Sequence, residues 1–168
     1  MNNLYIVNQF FPPDLAATGQ LLNDLTKNIS SKNLKITILT GMPAYASGQK
    51  KANNYNKEKN RIIIRTNLNK FWKFRKGKKL INGIFFCLSV FLFLIKNLRN
   101  GDRILFTTEP PFANFLAYLI YLIKGNKFFL IQYDIYPDVL INLKILSKNN
   151  ILIKFWNFFN YLSFKKAS

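Results

Sequence analysis

The chain contains no histidine, one cysteine and only seven acidic residues against 25 Lys and Arg, a formal charge of +18 over 168 residues. The lack of histidine excludes imidazole as general base, nucleophile or metal ligand. The lone Cys87 excludes an internal disulfide and a cysteine-based zinc site. Set in an apolar stretch, it reads as a buried, inert thiol. Neither GxGxxG nor a P-loop pattern occurs. Met1-Asn2-Asn3 has no charged side chain and the first apolar run is far too short for a signal peptide, which points to the cytoplasm or the cytoplasmic face of a membrane. No internal repeat is visible, and the length fits one domain, residues 1–168.

What the chain does have is apolar and aromatic bulk, 49% and 16% of residues with 17 Phe, enough for a sizeable core. Its basic surplus suits polyanions: nucleic acid, anionic lipid or phosphorylated substrates. A nucleotide-composition bias, visible in the joint abundance of Lys, Asn, Ile and Phe, explains the same surplus without any partner.

Strand and helix signals alternate along the chain. Leu4 to Val7 is a β-prone run closed by Phe10-Phe11-Pro12-Pro13. A loop through Asp14 and Gly19 follows, then apolar residues at helical spacing, Leu21, Leu22, Leu25 and Ile29. This predicts a helix over Thr18–Ser31 with Thr18 as N-cap. Gly19 at the helix start suits either an ordinary βα turn or the close approach of a phosphate to free backbone N–H groups. Lys35 to Thr40 predicts a second strand, residues 46–60 a long polar exposed loop, and Arg61 to Arg65 a third strand. Arg103 to Thr107 and Phe128 to Tyr133 predict the fourth and fifth, the last apolar enough to be a buried parallel strand. Ala113 to Ile123 and Ile151 to Phe164 read as helices. In the second of these, Lys154, Asn157, Asn160 and Ser163 form a polar stripe opposite an apolar side of Phe155, Trp156, Phe158, Phe159, Leu162 and Phe164. Alternation of this kind implies right-handed crossovers and an α/β, Rossmann-like doubly wound parallel sheet. Its strand-exit loops, Pro12–Gly19, Thr107–Phe112 and Asp134–Asp138, would then line one cleft.

Between the third and fourth strands lies the most basic tract. Lys70, Lys73, Arg75, Lys76, Lys78 and Lys79 interleave with Phe71, Trp72 and Phe74, and the 16 residues Leu80–Ile95 that follow are almost wholly apolar. A core helix, a helix partly immersed in lipid beside a basic membrane-contact patch, and a short membrane span all fit that run. Single-stranded nucleic acid would suit the basic-aromatic interleaving, but no RNP-like or helix-turn-helix pattern supports it.

Four segments in register carry a resemblance: Gln9-Phe10-Phe11-Pro12-Pro13 with Thr18-Gly19; Ile36 to Gly41; Thr107-Thr108-Glu109-Pro110-Pro111-Phe112; and Asp134-Ile135-Tyr136-Pro137-Asp138. They resemble the N-terminal, acceptor-side domain of GT-B glycosyltransferases of family 4, in particular those that build cell-envelope polysaccharide. The resemblance spans essentially the whole chain. It implies a domain that faces a nucleotide-sugar-binding partner domain across a cleft, with no metal and no cofactor beyond the nucleotide-sugar substrate. It places Thr18 and Gly19 near the donor phosphate and sugar, and Asp134 as the catalytic carboxylate. Glu109, Tyr133, Tyr136 and Asp138 then line the acceptor cleft; many relatives carry His where this chain has Tyr133. Expected partners are a nucleotide sugar, a lipid-linked saccharide acceptor and an anionic membrane surface, touched through Phe71, Trp72, Lys73, Arg75, Lys76, Lys78 and Lys79; no nucleic acid is expected. In relatives a similar Lys-Ala-Ser tract leads into another strand, so the sheet is expected to be incomplete at its C-terminal end. The donor-binding domain is expected to be absent from these residues and the chain inactive alone. The alternative is a non-catalytic, membrane-associated subunit that holds the acceptor and recruits a separately encoded donor-binding domain. Either way the chain is expected to be peripheral at the inner face of the cell membrane.

Overall fold

The computed structural model describes residues 3–29, 34–43, 52–66 and 78–168. Among them are six strands and five helices: β1 (Asn3–Val7), α1 (Ala17–Ile29), β2 (Lys35–Gly41), β3 (Tyr55–Glu58), β4 (Arg61–Thr66), α2 (Lys78–Asn97), β5 (Arg103–Thr107), α3 (Ala113–Lys124), β6 (Phe128–Ile131), α4 (Asp138–Asn142) and α5 (Ile151–Lys166). The sheet order is β3-β4-β2-β1-β5-β6. Every neighbouring pair is parallel except β3–β4. The parallel strands therefore have the doubly wound, Rossmann-like order, with its reversal between β1 and β5. Loops leaving those two strands diverge to opposite sides of the sheet and open a crevice between them.

One predicted loop contains a strand. Within residues 46–60, Tyr55–Glu58 pairs antiparallel with β4, Tyr55 opposite Ile64 and Glu58 opposite Arg61. The strand shows no apolar alternation because it lies exposed at the sheet edge, held by its backbone ladder rather than by burial. At the other edge β6 ends at Ile131, two residues short of the predicted strand. There the Gln132 side chain turns to donate to Asn114 Oδ1 at 3.0 Å. Past α5, the Ser168 N–H donates to Phe128 O on β6 at 3.0 Å.

Strand alternation sends two apolar sets to opposite faces. Tyr5, Val7, Leu39, Ile104, Phe106 and Phe128 pack against α2 and α3; Ile6, Ile36, Ile38 and Ile63 pack with Phe11 and with Leu22 of α1. The long apolar run is thus a core helix along one stripe, with Phe86, Val90, Leu94 and the following Leu98 buried at four-residue spacing. Among the described residues no helix is long and apolar enough to cross a membrane. Cys87 faces this core, where burial pushes its thiol up to about 12. Phe71, Trp72, Lys73, Arg75 and Lys76 lie outside the described residues, as do the side chains of Lys78 and Lys79 at the start of α2.

Helix α5 follows its sequence pattern only in part: Lys154 and Asn157 are exposed and Trp156, Phe159 and Leu162 are half-buried, as the pattern implies, but three other apolar and two polar positions are reversed. Its Asn160 and Ser163 are buried, while Phe155, Phe158 and Phe164 are exposed. The inward polar groups are all partnered. Ser163 Oγ donates to Asn114 O at 2.7 Å, Asn114 Nδ2 to Asn160 Oδ1 at 3.1 Å, and Asn160 Nδ2 to Tyr136 O at 2.6 Å. Burying a polar group costs little once hydrogen-bonded. The network therefore fixes which way the helix faces, against the pull of its phenylalanines. On this geometry Asn160→Leu, which orphans the buried Asn114 amide and the half-buried Tyr136 carbonyl, costs about 1–3 kcal/mol. Phe158→Ser costs less than about 0.5 kcal/mol, as ordinary surface changes do. Urea unfolding of the two variants checks this; the opposite ranking would mean that the phenylalanine side faces in.

Candidate functional site

The crevice at the sheet reversal is built from loop backbone stitched to loop backbone. Asn8, buried at the end of β1, accepts through Oδ1 from Thr107 Oγ1 at 2.8 Å and donates through Nδ2 to Phe10 O. The Gln9 N–H donates to Glu109 O at 3.1 Å, and Gln9 O accepts from Gly41 N at 3.0 Å and Thr40 Oγ1 at 3.2 Å. One residue after β1 thus ties together the exits of β1, β2 and β5. Buried Arg65 holds the far side of the first loop, donating to Pro12 O and, at 3.4 Å, to Gly41 O. Burial draws its guanidinium down while nearby Asp14 opposes that shift. A cavity of about 270 Å³ lies there between Phe11, Asn23, Ile63 and Arg65.

Two side-chain contacts bring the predicted residues to one rim. Thr18 lies inside the first turn of α1 rather than capping it, and its hydroxyl donates to Glu109 Oε2 at 2.7 Å. Thr108 Oγ1 accepts from the N–H groups of Tyr133 at 3.2 Å and Asp134 at 3.3 Å. The loops after β1, β5 and β6 therefore meet, bringing the Thr18-Gly19 turn, Glu109 and Asp134 together. Asp138 opens α4 one turn further on, exposed. At Gly19 the space a Cβ would take is filled by the chain itself: Phe10 O would lie at 2.7 Å and Phe11 Cα at 3.1 Å. The glycine lets α1 begin hard against the first loop. Gly83 of α2 likewise leaves room for Pro110, whose Cβ would lie 3.2 Å from an added Cβ.

The rim carries acid in a basic chain. Glu109 is half-buried, and desolvation raises its carboxyl above the usual range; the Thr18 hydrogen bond opposes this and neighbouring Asp134 adds to it. Burial also raises the phenols of Tyr133 and Tyr136. Glu109 contributes to the rise at Tyr133, and Asp134 and then Glu109 to that at Tyr136. Two carboxylates and two phenols thus share one electrostatic neighbourhood.

No family model and no curated protein matches this chain. Among the described residues, no group of three or more Cys, Asp or Glu is placed to hold a metal ion. The rim's chemistry is therefore read from its own residues.

Sequence reasoning missed the aromatic floor of this rim. Trp156 of α5 stacks on Phe112 from the loop after β5, at 5.2 Å and 28°, and on Tyr136 from the loop after β6, at 5.9 Å and 12°. Trp156 thereby carries a rim loop on a rigid helix. The available signal was Asn160 and Ser163 at three-residue spacing: with Ile153 and Trp156 they mark the true inner stripe of α5.

The chain has only two glutamates, Glu58 and Glu109, so carboxyl carbon NMR can follow each. Glu109 is expected to titrate above the usual glutamate range, to rise further in Thr18→Val and to fall towards the ordinary value in Asp134→Asn. Because its folded pKa is raised, Glu109 favours folding below the ordinary glutamate pKa and loses that contribution as pH rises through its own. An unshifted Glu109, indifferent to both substitutions, would contradict the rim geometry.

Proposed function

We propose that this chain supplies the acceptor-binding half of a nucleotide-sugar-dependent glycosyl transfer of the GT-B, family 4 type, in cell-envelope polysaccharide synthesis. The observation that carries the reading is the convergence of Thr18, Glu109 and Asp134 at the reversal of a parallel sheet. Ligands of such sheets bind at that crevice. The rim's chemistry favours a saccharide over a phosphate on this side. A carboxylate accepts hydrogen bonds from sugar hydroxyls, whereas Glu109 and Asp134 together repel a diphosphate. The donor's charge then has to be met from across the cleft, by a second, cationic surface. Asp134, exposed at the lip, is the carboxylate we assign to the reacting hydroxyl. Glu109, Tyr133, Tyr136 and Asp138 hold the acceptor, and the Thr18-Gly19 turn borders the donor. Tyr133, standing where many family members have His, offers a phenol O–H in place of an imidazole. The acceptor is a lipid-linked saccharide, and the chain works peripherally at the inner face of the cell membrane.

Saccharide binding is the direct test. Titrating methyl glycosides and short oligosaccharides into labelled protein is expected to shift the Trp156 indole and the Tyr133 and Tyr136 resonances. Glu109→Gln with Asp134→Asn should weaken that binding about tenfold or more, the effect of losing about 1.4 kcal/mol of charged hydrogen bonding. Undisturbed rim resonances together with tight, steeply salt-dependent binding of single-stranded RNA would replace this reading with a nucleic-acid one.

A further inference from the structure

Among the described residues, none covers the outward face of α5. Ile151, Phe155, Phe158 and Tyr161 are between 56% and 79% exposed. Leu143 and Ile145, in the turn that leads to the helix, are also more than 60% exposed. An apolar surface of this extent marks an interaction site. Its charge says of what kind. From Val139 to Ser168 the chain has five lysines and no acidic residue. Lys154 and Lys165 fall on the same side of the helix as Phe158 by their spacing, and the Lys165 ammonium lies 6.0 Å from the Tyr161 ring centre.

We infer that the exposed face of α5, with the turn before it, seats this chain on an anionic bilayer. A second copy is a poor occupant, since it would set Lys154 and Lys165 of one face against those of the other. Protein interface cores in general are depleted of lysine. Aromatic and aliphatic side chains interleaved with lysine are instead the pattern of a helix lying in a membrane interface. There the rings enter the acyl boundary and the ammonium groups reach anionic headgroups. The geometry ties this surface to the rim. Trp156, on the inner side of α5, stacks on Tyr136. A bilayer against the outer side would therefore lie about 10–12 Å from that loop, one helix diameter. A saccharide on a lipid carrier could then reach the rim without leaving the membrane. The inference rests on the peripheral-membrane part of the proposed function and adds a surface that the basic tract around Phe71–Lys79 does not include.

Co-sedimentation of the 168-residue chain with vesicles tests it, using phosphatidylglycerol mixed with phosphatidylcholine against phosphatidylcholine alone, at physiological salt. The chain is expected to partition onto the anionic vesicles. Phe155→Ser with Phe158→Ser should lower the partition coefficient about tenfold or more, as withdrawal of two rings from an apolar phase implies. Lys154→Glu with Lys165→Glu should do the same by charge alone, with circular dichroism unchanged in both. Wild-type-like sedimentation of both variants would overturn the inference while leaving peripheral binding intact. Failure of the unaltered chain to sediment would overturn both. A self-associating chain that the phenylalanine changes render monomeric, without vesicles, would make the face a contact between copies and overturn the inference.

Discussion

A hydroxyl in the first turn of one helix donates to a carboxylate on the other side of the sheet's reversal. That contact, Thr18 to Glu109, spans the crevice from which the two halves of the sheet wind apart. Backbone bonds make it possible. Gln9 joins the exits of three strands, and the bare Cα of Gly19 lets α1 start against the Phe10 carbonyl. Thr108 then brings the loop after β6 into the same assembly. Each stitch fixes loop backbone that would otherwise lose considerable entropy on ligand binding. The rim is therefore largely organised before any ligand arrives.

Much of the architecture was legible because parallel strands are buried on both faces and so read as continuous apolar runs. Ile36 to Leu39, broken only by Thr37, is buried throughout; Phe128 to Ile131 is as apolar, but on the edge strand β6 only Phe128 is buried. The alternation of such runs with helical spacing implied the doubly wound sheet. Strand β3 was not legible. Tyr-Asn-Lys-Glu carries no burial pattern, since edge pairing alone holds it. The facing of α5 was misread for a related reason. Hydropathy ranks Phe158 as core and Asn160 as surface, but three hydrogen bonds linking Asn160 and Ser163 to Asn114 and Tyr136 beneath the helix reverse that ranking. Of the rim, the meeting of Thr18, Gly19, Glu109 and Asp134 was legible from loop position alone. The bond that joins Thr18 to Glu109 was not, because a Thr at a helix start fits capping equally well. The inward facing of Trp156 was legible, but not the loop residues Phe112 and Tyr136 on which it stacks.

Charge divides the molecule by task. The rim gathers Glu109 and Asp134, two of only seven acidic residues, beside phenols whose protons are held more firmly than usual. The helix that supports the rim from below carries lysine and exposed rings on its outer side. On the reading proposed above, a polar ligand at the rim and an anionic surface at α5 would be separate electrostatic problems, set on opposite sides of one helix. The network of Asn114, Gln132, Asn160 and Ser163 connects them, setting the rotation of α5 and holding the Tyr136 carbonyl in place.

A double-mutant cycle between Thr18→Val and Glu109→Gln, read by urea unfolding above the Glu109 pKa, measures the central contact. A favourable coupling of about 1 kcal/mol is predicted for a half-buried hydrogen bond to a carboxylate. Strictly additive effects would contradict it, and with it the joining of the two sides of the crevice on which the rim depends.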